Sequence, residues 1–290
     1  MTISENQLEI WSHQGGTDAA QNTHTAIRNA LKQHSWRSGV TYDDYLQGSY
    51  RNYTNIYGNS DMDLVVELTS TFYHNEMTET QKSALEFTPA TYSFNNFRED
   101  VISALRNHFG SAYVDTSGSK SIKVLPNNER LKGDVVVAAT YRYYESTRLI
   151  AEGITFWNTK TGEQIINYPK LHFDNSVTKH ANTSQWYKPT VRVFKNARER
   201  IYKNKTCLSG KFPSYFVECL LYNVPNGKYG QSYQSTFCIV VNWLDDALKE
   251  DPSQFVCQNK MFYLFGSNSM QWNVNDAKTF ISELTSLWNS

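Results

Sequence analysis

The chain has 290 residues with 28 basic and 28 acidic side chains, so it carries no formal net charge, and 14% of its residues are aromatic. The balance argues against a protein held mainly to long nucleic acid by a global positive field, and so many aromatics exclude a disordered chain. The length suits one large domain or two lobes sharing a core. Cys207, Cys219, Cys238 and Cys257 form no C-x-x-C pair and have no His at zinc-site spacing, so they read as free thiols of a reducing compartment. No apolar run reaches 18 residues, and the first residues lack the basic and apolar regions of a signal peptide. The expectation is a cytoplasmic protein without membrane contact.

In chain order, Ala20, Thr23, Ile27, Ala30 and Leu31 recur at helical spacing, which predicts a helix over 18–34. A short helix is expected at 41–46, leading into Gly48-Ser49. A buried strand follows at about 62–68, then a polar loop or weak helix at 75–90. Phe97, Val101, Leu105 and Phe109 mark a helix over 95–109. Strands are expected near 111–115 and 120–125, separated by a Thr-Ser-Gly-Ser turn. The β-branched run 132–144 reads as another buried strand, and 153–157 and 164–166 as strands joined by a turn at 158–162. From about 171 the pattern becomes helical, at roughly 171–183, 187–204, 213–222, 232–249 and 274–289. The expected organisation is therefore α+β: a mixed core with an N-terminal helix over 1–170, a mostly helical lobe over 171–290, and a ligand cleft between them.

The chemistry concentrates in Gly48–Val66. Asp61 and Asp63 stand one residue apart on a strand, so their carboxylates share a face, about 6–7 Å apart at about 3.3 Å per residue. Met62, Leu64 and Val66 point the other way, into a core. A lone Asp-x-Asp is usually a solvated strand end. Here a buried strand follows, and carboxylates entering it need a partner. Mg²⁺ takes one or two carboxylates and completes its shell with water and phosphate oxygens. Gly48-Ser49 just upstream can offer backbone N–H groups and a hydroxyl to a phosphate. A site for a nucleoside triphosphate and its metal follows.

Gly48-Ser49, Asp61-Met62-Asp63 and Asp134 on a later strand together resemble the signature of the polymerase-β-like nucleotidyltransferases. The second half is similar to the bacterial relatives of cyclic GMP-AMP synthase, closest to their clade E. The likeness is carried by 166–169, His172, Asn175, Lys179, Asn182-Thr183, Tyr187-Lys188, 191–198, the run Phe212-Pro213-Ser214-Tyr215 to Pro225, and Leu264-Phe265-Gly266 with Trp272-Asn273. His180 departs from the pattern, which has Asn after the lysine, and the zinc insertion of the animal enzyme has no counterpart.

The resemblance implies a polymerase-β-like core, with Asp61, Asp63 and Asp134 as catalytic ligands of two Mg²⁺ or Mn²⁺ ions. Such a centre activates the attacking hydroxyl and steadies the leaving pyrophosphate. It implies phosphate contacts from Gly48, Ser49, Lys195, Arg192 and Ser214, with Lys188 a further candidate on the same basic helix. Tyr215 would stack on a base, and Asn175, Asn182, Thr183 and Ser184 are candidates for reading base edges. His172 reads as a structural hydrogen-bonding residue and not as a general base. The implied activity is synthesis of a cyclic di- or trinucleotide second messenger from NTPs, ATP and GTP among them. Its partner would be a downstream effector of anti-phage defence, and long nucleic acid is not expected as a substrate. A transferase making a linear product or modifying RNA or protein is the alternative enzyme. An inactive nucleotide-binding scaffold is the alternative of another class.

Overall fold

Two parallel strands, β2 (Met62–His74) and β5 (Gly133–Glu145), form the axis of the sheet. Met62, Leu64, Val65, Val66 and Leu68 are all fully buried, so both faces of β2 are covered. This is the pattern expected of parallel strands packed on both sides. The computed structural model describes residues 3–58, 61–128, 130–268 and 270–290. Among these, the sheet runs β1-β2-β5-β4-β3, with β1 (Tyr42–Gln47), β3 (Val114–Asp115) and β4 (Ile122–Val124). β4 pairs with the start of β5, and β6 (Arg148–Trp157) with its far half. β7 (Gln164–Asn167) closes the hairpin on β6.

Residues 41–46 are not the expected short helix. They form β1, antiparallel to β2, with Gln47 opposite Asp63. Only Tyr45 of β1 is buried. A helix here would have little apolar surface to bury, whereas the strand pairs the outer backbone groups of β2, which must find partners. Asp44 of β1 accepts from Arg28 Nε at 2.7 Å and lies 3.2 Å from His24 Nε2.

Helices α2 (Asp18–Gln33) and α5 (Phe94–Phe109) pack on each other and on the sheet. A side chain at Gly133 would come within 3.1 Å of Ile27, Met62 and Thr23, so glycine allows α2 to lie close over the start of β5. The two short helices between these strands and helices are α3 (Gly48–Asn52) and α4 (Glu79–Ala84).

The chain forms two compact units that do not follow a single cut. One comprises Thr17–Tyr50 and Asp61–Pro169 and holds the sheet. The other comprises Met1–Gly16, Arg51–Ser60 and Lys170–Ser290. One edge of the division falls at 169/170, where the sequence reading set a lobe boundary at 170/171. Residues 3–16 and 51–58 group with the helical unit and not with the sheet unit. That unit contains α1 (Glu5–Ser12), α6 (Pro169–Asn182), α7 (Tyr187–Asn204), α8 (Ser214–Asn223), α9 (Tyr233–Glu250) and α10 (Val274–Asn289). Its core gathers Leu8, Val191, Phe194, Phe216, Leu220, Phe237, Val240, Phe280 and Leu284. Among the described residues the four cysteines are free thiols, and no helix is long and apolar enough to cross a membrane.

Candidate active site

The register of the sheet places the acidic residues. Gln47 lies opposite Asp63, Asp63 opposite Asp134, and Asp134 opposite Lys123. Residues directly opposite one another share a face, so β1, β2, β5 and β4 present one polar row. Asp134 is partly buried, and its Oδ1 has no hydrogen-bond partner. Burial is the main cause holding its carboxyl above the ordinary range. The charge of Asp61 adds to this, and Lys132 and Lys123 pull the other way. Asp61 is exposed just before β2 and is ion-paired with Lys132, whose Nζ also stands 3.7 Å from Asp134 Oδ2.

Lys132 is therefore the counter-charge between two of the carboxylates, a residue the motif reading passed over. The signal was present: Lys132 is two residues before Asp134, hence on the same side of an extended chain. Gly48 reaches the row from the other direction. Its φ is +65°, and a Cβ there would lie 2.6 Å from Asp63 Oδ2. Ser49 follows it, half-buried in the first turn of α3. Asn59 and Ser60, between this turn and Asp61, lie outside the described residues.

Among the described residues no three His, Cys, Asp or Glu side chains stand close enough to cage a metal ion as placed. The donor chemistry nonetheless fits a hard divalent cation. The set is oxygen-only, two of its carboxylates are strand neighbours, and one oxygen is buried without a partner. Mg²⁺ needs no more than one or two protein carboxylates when phosphates supply the remainder.

The phosphate and base candidates of the helical unit are distributed differently from expectation. Lys195, expected on a phosphate, is 1% exposed. Its ammonium donates to Glu218 Oε1 at 2.5 Å and to Thr54 O and Oγ1 at 3.2 Å each. An ammonium has three N–H groups, and all three are used within the protein. Arg192 donates to the carbonyls of Ser12 and Tyr53, and burial lowers its pKa to about 10. Lys188 is buried with its Nζ 5.0 Å from the Tyr53 ring centroid and 5.6 Å from that of Phe173. Ser214 accepts from Arg198 Nη1 at 3.1 Å. Tyr215 is half-buried, its ring 5.0 Å from His172 and 5.5 Å from Trp272. Asn175 donates to the Gln258 carbonyl at 2.9 Å. Asn182 and Ser184 are exposed at the end of α6 and just beyond it, and Thr183 is buried and caps that turn through its hydroxyl.

Glu218 and Thr54 were missed by motif reasoning. Glu218 is a lone charge inside the apolar run Phe216-Val217-Glu218-Cys219-Leu220-Leu221, and a charge in a buried helix calls for a partner.

The family model for the C-terminal helical domain of cGAS/DncV-like nucleotidyltransferases matches residues 174–289. The cyclic UMP-AMP synthase of Rhodothermus marinus is 44% identical, over 99% of this chain and 98% of its own. The cyclic dipurine nucleotide synthase of Elizabethkingia meningoseptica is 31% identical, over 100% of this chain and 98% of its own. The solved Rhodothermus marinus CdnE c-UMP-AMP synthase, with Apcpp and Upnpp, superposes with a TM-score of 0.92 at 43% identity, covering 99% of this chain and 97% of that one.

Proposed function

The chain belongs to the cGAS/DncV-like nucleotidyltransferases of the CdnE type, and from that membership we propose that it joins one uridine and one adenosine nucleotide, taken from UTP and ATP, into cyclic UMP-AMP. It is a nucleotidyltransferase and its class makes cyclic nucleotides. The observation that carries the base assignment is the 44% identity to the Rhodothermus marinus cyclic UMP-AMP synthase along the whole chain. Membership alone does not supply the bases, since the Elizabethkingia meningoseptica relative is named for two purines.

Asp61, Asp63 and Asp134 would hold two Mg²⁺ or Mn²⁺ ions, which when bound acidify the attacking hydroxyl and neutralise charge on the leaving pyrophosphate. Lys132 holds Asp61 until that role is taken up and keeps the acidic row from repelling itself. The turn at Gly48-Ser49 offers donors to the triphosphate. Tyr215 offers an aromatic face for a base, a sequence-tolerant contact worth about 1–3 kcal/mol. Base edges fall to Asn182 and to the groups of Asn175 not spent on Gln258. Arg192 contributes positive charge beside backbone carbonyls, while the ammonium of Lys195 is committed elsewhere. The product serves as a second messenger for an effector in anti-phage defence.

The test is incubation of the purified protein with Mg²⁺ and the four NTPs, omitting each in turn, followed by phosphatase treatment and mass spectrometry. The expected product resists phosphatase, has the mass of one U and one A monophosphate joined twice, and disappears when UTP or ATP is omitted. A purine-only product would overturn the base assignment, and a phosphatase-sensitive one would overturn cyclisation. Product formation by an Asp61→Asn/Asp63→Asn protein would overturn the metal assignment.

A further inference from the structure

Residues 51–58, the end of α3 and the loop that follows it (loop 51–58 below), separate the two stretches that carry the chemistry: Gly48-Ser49 precede them and Asp61 and Asp63 follow them. This is not a free surface loop. Asn52, Thr54, Asn55 and Ile56 are 1–4% exposed, and the segment belongs to the helical unit. One carboxylate gathers its polar groups. Glu218 accepts from Lys195 Nζ at 2.5 Å, Thr54 Oγ1 at 2.8 Å and Asn52 Nδ2 at 3.5 Å, and lies 3.1 Å from His172 Nε2. Lys195 closes the arrangement by donating to the Thr54 backbone as well. Glu218 is also one helical turn beyond Ser214 and Tyr215 on α8, and the His172 ring that contacts it packs on the Tyr215 ring.

Resting on the reading of this chain as a nucleotidyltransferase, we propose that Glu218 is a positioning residue for the transfer reaction. Its carboxylate fixes residues 51–58 within the helical unit, and it fixes Tyr215 through His172. Taking a carboxylate and an ammonium out of water costs several kcal/mol per ion, recovered only when the remaining lone pairs and protons are satisfied. Apolar residues of similar volume would often hold a helix pair as well or better. The arrangement here instead draws donors from α6, from α7 and from the loop onto one group. Burial alone would push the Glu218 carboxyl up. Lys195 first, then His172, more than offset this and bring it down to about 2. The carboxylate is therefore charged near neutral pH, while burial lowers the pKa of the Lys195 ammonium that pairs with it.

The test uses Glu218→Gln, Glu218→Asp and the charge-neutral double variant Glu218→Gln/Lys195→Met, with thermal unfolding measured beside kcat and KM for UTP and ATP. Glu218→Gln strands an ammonium and is expected to lower the melting temperature, and the double variant to restore it. Misplacement of reacting groups by about 1 Å costs on the order of 100-fold in rate. The expected result is a kcat at least tenfold down in all three proteins, with KM changed less than about threefold in Glu218→Asp. Glu218→Asp keeps the charge but withdraws it by one methylene, so it reads positioning even if Glu218→Gln does not fold. Recovery of kcat together with stability in the double variant would reduce Glu218 to a packing role and overturn the proposal. So would a double variant with normal kcat and a tenfold higher KM, which would return Lys195 to a phosphate. Wild-type turnover to any nucleotidyl product, cyclic or linear, is followed in the same assay. Its absence would remove the nucleotidyltransferase reading itself, whereas turnover unaffected by the variants would remove only the role of Glu218.

Discussion

At Gly48 two constraints meet. The residue sits at φ +65°, and the space where a Cβ would project is taken by Asp63 Oδ2. Gly48→Ala therefore carries a left-handed strain of about 1–2 kcal/mol and must also displace an aspartate proposed to hold metal. Gly39 separates the two effects, since it has φ +84° with nothing within 4 Å of an added Cβ. Both alanine variants are expected to lose similar stability by urea unfolding, whereas only Gly48→Ala is expected to lose nucleotide turnover, by at least tenfold. Equal activity in the two would show that Asp63 tolerates the displacement. The placement of Gly48 at a turn and of Asp63 and Asp134 on neighbouring strands was legible in the sequence because it depends on local geometry. Lys195 was not. The basic run of α7 reads as a solvated stripe, yet Lys188, Lys195 and Arg198 are buried. The partners of Lys195 are 23 and 141 residues away in the chain, a distance at which periodicity carries no information.

Elements show the same division between local and distant causes. The helices of the second half have apolar faces several turns long, and their observed limits lie within a few residues of those expected. Residues 41–46 are short and mostly polar, so their state is decided by the exposed edge of β2 and not by their own pattern. α1 has eight residues and was not anticipated, since isolated helices of that length are marginal. Tertiary contacts support it. Leu8 is fully buried in the helical core, and the Glu5 carboxylate accepts from Tyr233 N and Gln234 N at 2.7 Å each. Those are the first N–H groups of α9, and the Ser232 hydroxyl takes the next, Ser235 N, at 3.1 Å. Residues in α1 thus complete the cap of a helix more than 220 positions later. Glu5→Ala leaves two helix-end donors unpaired and removes a carboxylate from a helix N-terminus, for an expected loss of about 1–2 kcal/mol. Glu5→Gln, which keeps an acceptor, should lose less. Urea unfolding checks both, and equal stability of Glu5→Ala and wild type would show the cap to be dispensable.

For the molecule as a whole, the discontinuity of the helical unit matters more than its helix content. Read along the chain, composition changes once, near 170, and suggests a second lobe formed from one continuous stretch. The folded unit instead recruits Met1–Gly16 and Arg51–Ser60. A fragment of residues 170–290 would keep the amphipathic faces of α6 to α10 but lose three supports. Leu8 leaves a hole in the core, a defect of the size that costs about 2–5 kcal/mol for a leucine. Glu5 no longer caps α9. Glu218 and Lys195 remain buried without Thr54 and Asn52, and a buried polar group stripped of partners costs about 1–3 kcal/mol. Their sum is comparable with the whole stability of an ordinary domain, about 5–15 kcal/mol. The fragment is therefore expected to retain far-ultraviolet helical signal, since local sequence favours helix, yet to lose near-ultraviolet aromatic signal and a cooperative urea transition. Joining residues 3–16 to its start through a flexible linker restores Leu8 and Glu5 and should recover part of the transition, but not all of it while loop 51–58 is missing. A bare fragment that unfolds cooperatively with native aromatic signal would mean that the helical unit is self-sufficient, and that its two borrowed segments are held by it without stabilising it.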